Sequence, residues 1–191
     1  MKRVTTILVP FNFTETAQGA LNYAIHFVGK KETIKIVLAY ISEDYNDNRV
    51  EKRFSDIKKE YNPLLKQDIE CVSVKGPLTD SLLKIKKEKK ADFIIMGTFG
   101  TLDMEDDEPT NTSNFVHEAD CPVLVIPLEF EKFRIKKIAL VLGQEEIEDT
   151  KVLGILLDIA RDFNAKVHVV TVQNRPEVYG YSEIDEKNEN L

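Results

Sequence analysis

Short apolar runs alternate along the chain with longer amphipathic stretches. Thr5–Val9 is a β-branched run that is apolar on both faces, and Phe93–Met96 and Val123–Ile126 have the same character. Such runs are typical of central strands in a parallel sheet that helices cover on both faces. Ile34–Ile41 predicts a further strand of this kind. Ile69–Val74 mixes polar and apolar positions and predicts an edge strand.

Amphipathic segments separate these strands. Glu15–Gly29 has apolar residues at helical spacing and follows Thr14, a favourable N-cap. Tyr45–Lys66, Leu78–Lys90 and Thr112–Glu118 predict three more helices. Strands and helices that alternate in this way predict an α/β fold, with a doubly wound, five-stranded parallel sheet of Rossmann-like type.

The residues after this domain repeat its opening. A shift of 131 residues lays Lys137–Val141 on Thr6–Pro10, and the register then holds for about 35 residues without a gap. We therefore predict an α/β domain at 1–128, a partial second repeat of strand, helix and strand at 129–176, and a polar tail at 177–191.

Composition limits the classes of function. The 191 residues are 42% hydrophobic, which is enough for a core, and the net charge of −7 argues against a nucleic-acid partner. No apolar run approaches the ~20 residues of a membrane-spanning helix, so we expect no membrane partner. The two lone cysteines are typical of reduced thiols, so we expect a cytoplasmic protein. Cys71 and Cys121 lack the neighbouring cysteines or histidines of a zinc site, and no metal site is predicted.

Three motifs resemble the universal stress protein family. Ile7–Thr14 is similar to the family's first strand, which ends in Val-Pro and continues with Asp-Phe-Ser. Asp92–Gly100 and Cys121–Pro127 are similar to its last two strands. The resemblance covers residues 1 to about 128. The partial repeat then looks like the start of a second such domain, as in tandem members, with a truncated second repeat.

The resemblance implies a nucleotide crevice, because many members of the family bind ATP. The family's glycines let the backbone approach the phosphates, and the helix that follows holds the phosphates with its N-terminal amides. The aspartate of the family is Asn12 here, and Tyr40 is expected beside the base. The candidate cofactor-binding residues are Pro10, Asn12, Tyr40, Gly97, Gly100 and Thr110.

Two departures from the family pattern weaken this site. Pro109 stands at a family glycine and has no N–H to donate. Thr101–Glu108 carries five carboxylates where a phosphate-binding member usually has a neutral or basic segment. Their repulsion of a polyanion is enough to turn micromolar binding into millimolar binding. We expect ATP or AMP with Mg²⁺ to bind weakly, and no cofactor to bind tightly.

No group of residues supplies a nucleophile, a base and an oxyanion hole, and no Walker lysine follows the glycines. The sequence therefore predicts no catalytic residue. It predicts a binding and regulatory role in a stress response, with a degenerate ATP site. Two alternatives stay open. One is an ATP- or AMP-binding sensor or slow ATPase that uses the crevice between the first and fourth strands. The other is a dimeric interaction module without a ligand.

Self-association has two candidate surfaces. In the family, the last strand, here Val123–Ile126, commonly builds a dimer by antiparallel edge pairing. The partial repeat is the second candidate, because two strands and one helix cannot bury their apolar residues alone. We predict a homodimer through one of these surfaces, and an unknown protein partner is a further alternative.

Overall fold

The computed structural model describes residues 4–29, 31–43, 47–98, 110–128, 135–142 and 150–171. The apolar runs form five strands: β1 (Thr6–Pro10), β2 (Lys35–Ser42), β3 (Glu70–Lys75), β4 (Phe93–Thr98) and β5 (Val123–Pro127). They pair in parallel in the order β3-β2-β1-β4-β5. The predicted α/β fold is confirmed, and β3 lies at an edge of the sheet as expected.

Four helices connect these strands: α1 (Glu15–Val28), α2 (Asp47–Tyr61), α3 (Leu78–Lys89) and α4 (Asn111–Glu118). A 3₁₀ turn at Asn62–Leu64, with Pro63 inside it, follows α2. The core has two layers because strand side chains alternate between the faces of the sheet. Ile7 and Val9 of β1 pack on the face of α1 and α2, and Leu8 packs on the face of α3 and α4. Among the helices that the structure describes, none is long and apolar enough to cross a membrane.

A second unit follows, with β6 (Lys137–Leu142), α5 (Thr150–Phe163) and β7 (Lys166–Thr171). β6 and β7 form a separate parallel pair in which Ile138 lies opposite Val167. The corresponding pair in the first unit, 131 residues earlier, is Ile7 opposite Ile36. The first ladder hydrogen bond matches as well: Lys166 N donates to Lys136 O at 3.0 Å, and Lys35 N donates to Thr5 O at 2.9 Å.

The second unit packs on α1. The ring of Phe163 stacks 6.2 Å from the rings of Tyr23 and His26, measured between centroids, and Ile159 is buried in the same core layer. Burial raises the pKa of the Tyr23 hydroxyl to about 12. The division at 1–128, 129–176 and 177–191 stays a prediction, and the tail 177–191 lies outside the described residues.

Candidate functional site

A cavity of about 580 Å³ opens at the carboxyl ends of β1, β2 and β4. In a doubly wound sheet, the chain leaves β1 and β4 toward opposite edges, and ligands bind in the crevice between their carboxyl ends. The polar residues of its lining include Asn12, Thr98, Thr110, Asn111 and Thr112. The apolar residues of its lining include Ala39, Ile41, Leu78 and Met96. Apolar side chains together with a few polar groups are a common lining of small-molecule sites.

The loop from β1 to α1 carries a chain of hydrogen bonds at the mouth of the crevice. Asn12 Oδ1 accepts from Thr14 N at 3.3 Å and from Thr14 Oγ1 at 2.6 Å. Thr14 Oγ1 in turn accepts from Ala17 N at 3.4 Å, which caps α1, and lies 3.0 Å from Thr16 Oγ1. Asn12 therefore orders the start of α1 while its exposed side chain lines the cavity.

Gly97 has a structural reason to lack a side chain. A Cβ at this position would overlap the carbonyl oxygen of Thr16, so β4 and α1 approach each other too closely for any other residue. Thr112 Oγ1 donates to Gly97 O at 3.1 Å and ties the start of α4 to β4. The glycine thus brings the N-termini of two helices to one crevice.

The N-terminus of α4 forms the third side of the site. Thr110 is its N-cap, and its Oγ1 accepts from Ser113 N at 3.1 Å. The first amides of a helix have no partner within the helix and attract anions. Thr110, Asn111 and Thr112 all line the cavity, so this helix end faces the space a ligand would occupy.

No residue in the described lining carries a charge. A bound phosphate would meet hydroxyls, amides and a helix end there, but no lysine or arginine. No three His, Cys, Asp or Glu side chains gather into a metal site within the described ranges. Burial raises the pKa of the Cys71 thiol to about 11 and raises that of Cys121, so both thiols stay protonated at neutral pH and are poor nucleophiles.

The structure brings four of the six predicted site residues together, because Pro10, Asn12, Gly97 and Thr110 all line the cavity. Tyr40 lies elsewhere. Its ring packs 5.5 Å from that of Phe13, on the α1 and α2 face of the sheet. Gly100, Pro109 and the acidic segment 101–108 fall outside the described residues.

Sequence reasoning missed the apolar residues of the cavity lining. Ala39 and Ile41 flank Tyr40 on β2, and the twofold alternation of a strand puts both neighbours on the face opposite Tyr40. Counting that alternation from the buried Val37 would have selected Ala39 and Ile41 for the crevice. Leu78, at the start of α3, carried no comparable signal.

The model of the universal stress protein family matches residues 3–127. The chain belongs to the universal stress protein family. The match spans all five strands of the main sheet and confirms the resemblance that the motifs predicted. No match was found among curated proteins.

Solved structures of other proteins share the fold. The chain is 24% identical to the hypothetical protein MJ0577, with a TM-score of 0.55 over 65% of this chain and 96% of that one. It is 14% identical to a universal stress protein in complex with cAMP, with a TM-score of 0.52 over 67% of this chain and 100% of that one.

A longer relative extends the likeness to the second unit. A universal stress protein from Pseudomonas aeruginosa UCBPP-PA14 is 13% identical, with a TM-score of 0.60 over 88% of this chain. This match covers more of the present chain than the family model does, and it covers 61% of the Pseudomonas chain. At identities of 13% to 24%, these three solved structures show the fold alone.

Proposed function

We propose that this universal stress protein is a binding and regulatory protein of a stress response, without catalysis of its own. Its crevice takes the nucleoside part of an adenine nucleotide and holds the phosphates of ATP poorly. The observation that carries the proposal is the neutral lining of a cavity at the switch point of the sheet.

The mixture of apolar and polar residues in the lining supports a site that binds the nucleoside better than the phosphates. An adenine base is apolar on its faces and fits against Ile41, Leu78 and Met96, whereas ribose hydroxyls suit the exposed amide of Asn12. A triphosphate extending toward Thr110 would meet the N-terminus of α4, which contributes about half a unit of positive charge. That is small beside the charge of ATP, and the acidic segment 101–108 adds negative charge next along the chain.

Calorimetric titration of the purified chain with ATP and Mg²⁺, and separately with AMP, tests the proposal. We expect dissociation constants in the millimolar range for ATP, with AMP no weaker than ATP, because extra phosphates find no cation in the described lining. A micromolar constant for ATP would refute the proposal of a degenerate site.

A designed cation sharpens this test. Asn111 is exposed at the first turn of α4 and lines the cavity, so Asn111→Lys places a positive charge there without disturbing the core. We expect ATP affinity to rise about fivefold or more, since one ion pair near a surface contributes on the order of 1 kcal/mol. Asn111→Gln is the matched control and should leave affinity unchanged.

The rival proposal is an ATP- or AMP-binding sensor or slow ATPase that uses the same crevice. The cAMP complex of a universal stress protein with this fold favours nucleotide binding as such. The two proposals differ in affinity and turnover. Micromolar binding together with release of inorganic phosphate from ATP, lost on mutation of the crevice, would establish the rival.

The proposal has two further parts: residues 129–176 are a partial repeat of the first unit, and the chain forms a homodimer. A duplicated βαβ module is supported by the identical strand register in the two units, 131 residues apart. A homodimer is supported by the strand edges that the two sheets leave open within the described residues, at β3 and β5 in the first sheet and at β6 and β7 in the second. An interaction module without a ligand would show the dimer and no nucleotide binding.

A further inference from the structure

Phe13 has an unusual backbone conformation for a bulky residue. Its φ of 63° lies in the left-handed region, which glycine adopts freely and which costs free energy for a residue with a Cβ. Phe13 stands in the loop between β1 and α1, next to Thr14, the extended N-cap of α1. Such a conformation persists only where surrounding contacts determine it, and it is frequent at ligand-binding sites. The contacts of the Phe13 side chain therefore decide why the loop has this shape.

Four side chains surround the ring of Phe13. Measured between centroids, the ring of Phe11 lies 5.1 Å away, that of Phe54 5.4 Å and that of Tyr40 5.5 Å. The guanidinium carbon of Arg53 lies 3.9 Å from the same centroid, which is a cation–π contact. Phe11 and Phe54 are buried in the core, so two of these neighbours are held in place by the fold. We call these five residues the Phe13 cluster.

The ring of Phe13 lies away from the crevice, whereas the residues on either side of it line the cavity. These are Asn12 and Thr14, and Phe13 is not part of the described lining. Asn12 Oδ1 accepts hydrogen bonds from the N and Oγ1 atoms of Thr14. Both bonds bridge residue 13, so they depend on its φ and ψ. With Oδ1 engaged, the NH₂ group of Asn12 is the part of this side chain that can donate to a ligand hydroxyl.

We infer that Phe13 is a positioning residue of the crevice: the Phe13 cluster holds its backbone at positive φ and thereby keeps the Asn12 amide at the cavity. The inference rests on the proposed nucleoside site and adds to it a residue outside the cavity lining. The cluster preorganises the site, because a loop that is already ordered loses less conformational entropy when a ligand binds.

The size of the effect follows from the fraction of chains whose loop is in the binding conformation, since affinity falls in proportion to that fraction. Alanine at position 13 has no ring for the cluster to hold, and the left-handed region is disfavoured for it by a factor of about 5 to 30. Glycine also lacks the ring, but it populates positive φ about as readily as negative φ. The dissociation constant for AMP should therefore rise about fivefold or more in Phe13→Ala and only about twofold in Phe13→Gly.

Phe163→Ala is the matched control for loss of an aromatic ring. Phe13 and Phe163 are both partly buried phenylalanines that pack against the same core layer. Phe163 stacks on Tyr23 and is not part of the described lining of the crevice. Phe163→Ala should therefore lower the stability of the chain and leave the affinity for AMP unchanged.

Titration with AMP, followed by NMR on the full-length chains, tests the inference. Thermal unfolding of each variant checks that it is folded under the conditions of the titration. We expect the wild type and Phe163→Ala to bind equally, Phe13→Gly to bind more weakly and Phe13→Ala to bind most weakly. Loss of packing alone does not give this order, because glycine removes the ring as completely as alanine does. Equal binding by Phe13→Ala and the wild type, or Phe13→Gly binding no better than Phe13→Ala, would overturn the inference.

A measurement on the wild type without ligand needs no variant to fold. A positive φ brings the amide and Hα protons of Phe13 close together, so we expect a strong nuclear Overhauser cross-peak between them. A weak cross-peak would overturn the inference.

The titration also separates this inference from the proposed function. A wild type that binds no AMP would overturn the proposed nucleoside site, together with the role of Phe13 in it. A wild type that binds AMP, with no difference among the variants, would overturn the role of Phe13 alone.

Discussion

The two βαβ units of this chain have the same strand register but differ in how far their strands are buried. In the first unit, β1 and β2 are central strands of a five-stranded sheet, and Leu38 has no exposed surface. Its equivalent in the second unit, Val169, is 61% exposed, and β6 and β7 pair only with each other among the described strands. Local pattern therefore sets the pairing of two strands, whereas burial depends on which further strands and helices lie beside them.

The largest expected effect separates the units through matched core substitutions. Leu38→Ala should lower the free energy of unfolding by about 2–5 kcal/mol, because it empties a fully buried position. Val169→Ala, 131 residues later, should change it by less than about 0.5 kcal/mol. Urea unfolding at submicromolar protein, where pairing between copies is diluted out, measures both. Similar losses would mean that the second unit is as enclosed as the first.

The close approach of α1 to β4 is a contact for which the second unit has no described counterpart. Gly97→Ala should destabilise the chain by about 1–3 kcal/mol or more, because the new methyl group meets the backbone of Thr16. Gly19→Ala is the control on the same helix. Its Cβ meets nothing within 4 Å, so it should stabilise by about 0.5–1 kcal/mol. Thermal unfolding distinguishes the two, and a neutral Gly97→Ala would contradict the packing described for α1.

Docking of the second unit on the first is tested on α5. Phe163→Ala removes a ring that stacks on Tyr23 and His26, and it should cost about 1–2 kcal/mol, less than a fully buried phenylalanine. Leu157→Ala on the same helix is a control, because Leu157 is exposed and should be near neutral. Chemical denaturation measures both, and equal effects would show that the stacking contributes nothing.

The smallest effect at neutral pH comes from the Tyr23 hydroxyl. Its pKa is raised to about 12 by burial, so the folded chain keeps a proton that the unfolded chain releases above pH 10. Stability should therefore fall as the pH rises from about 10 to about 12. Tyr23→Phe keeps the ring and removes this contribution, so its stability should fall less over that range and match the wild type near pH 7. Parallel curves of stability against pH for the wild type and Tyr23→Phe, from pH 9 to 12, would refute the raised pKa of Tyr23.

Sequence patterns predicted the fold well where local rules decide. Continuous apolar runs identified β1, β4 and β5, and Thr14 marked the start of α1. Each of these features depends only on residues close by in the chain. A strand follows from the periodicity of its own residues, and the start of a helix follows from a cap that bonds to the amide three residues later.

The crevice was only partly predictable. Gly97 and Thr110 were selected through the family motif, and the structure adds a packing reason for Gly97 that the motif does not contain. Tyr40 was placed beside the crevice because it ends a strand, although strand alternation directs its ring to Phe13. Leu78 reaches the cavity through the tertiary arrangement of α3, which no local spacing encodes.

Hydrogen exchange with and without millimolar AMP tests most directly the central claim that the first unit alone is enclosed and carries the ligand crevice. Without ligand, amides of β1 and β2 should exchange only through global unfolding, and those of β6 and β7 should exchange through smaller openings. AMP should slow exchange at Thr14–Ala17 and Asn111–Ser113 and leave β6 and β7 unchanged. Equal protection of the two units, or no change around the crevice with AMP, would contradict the account.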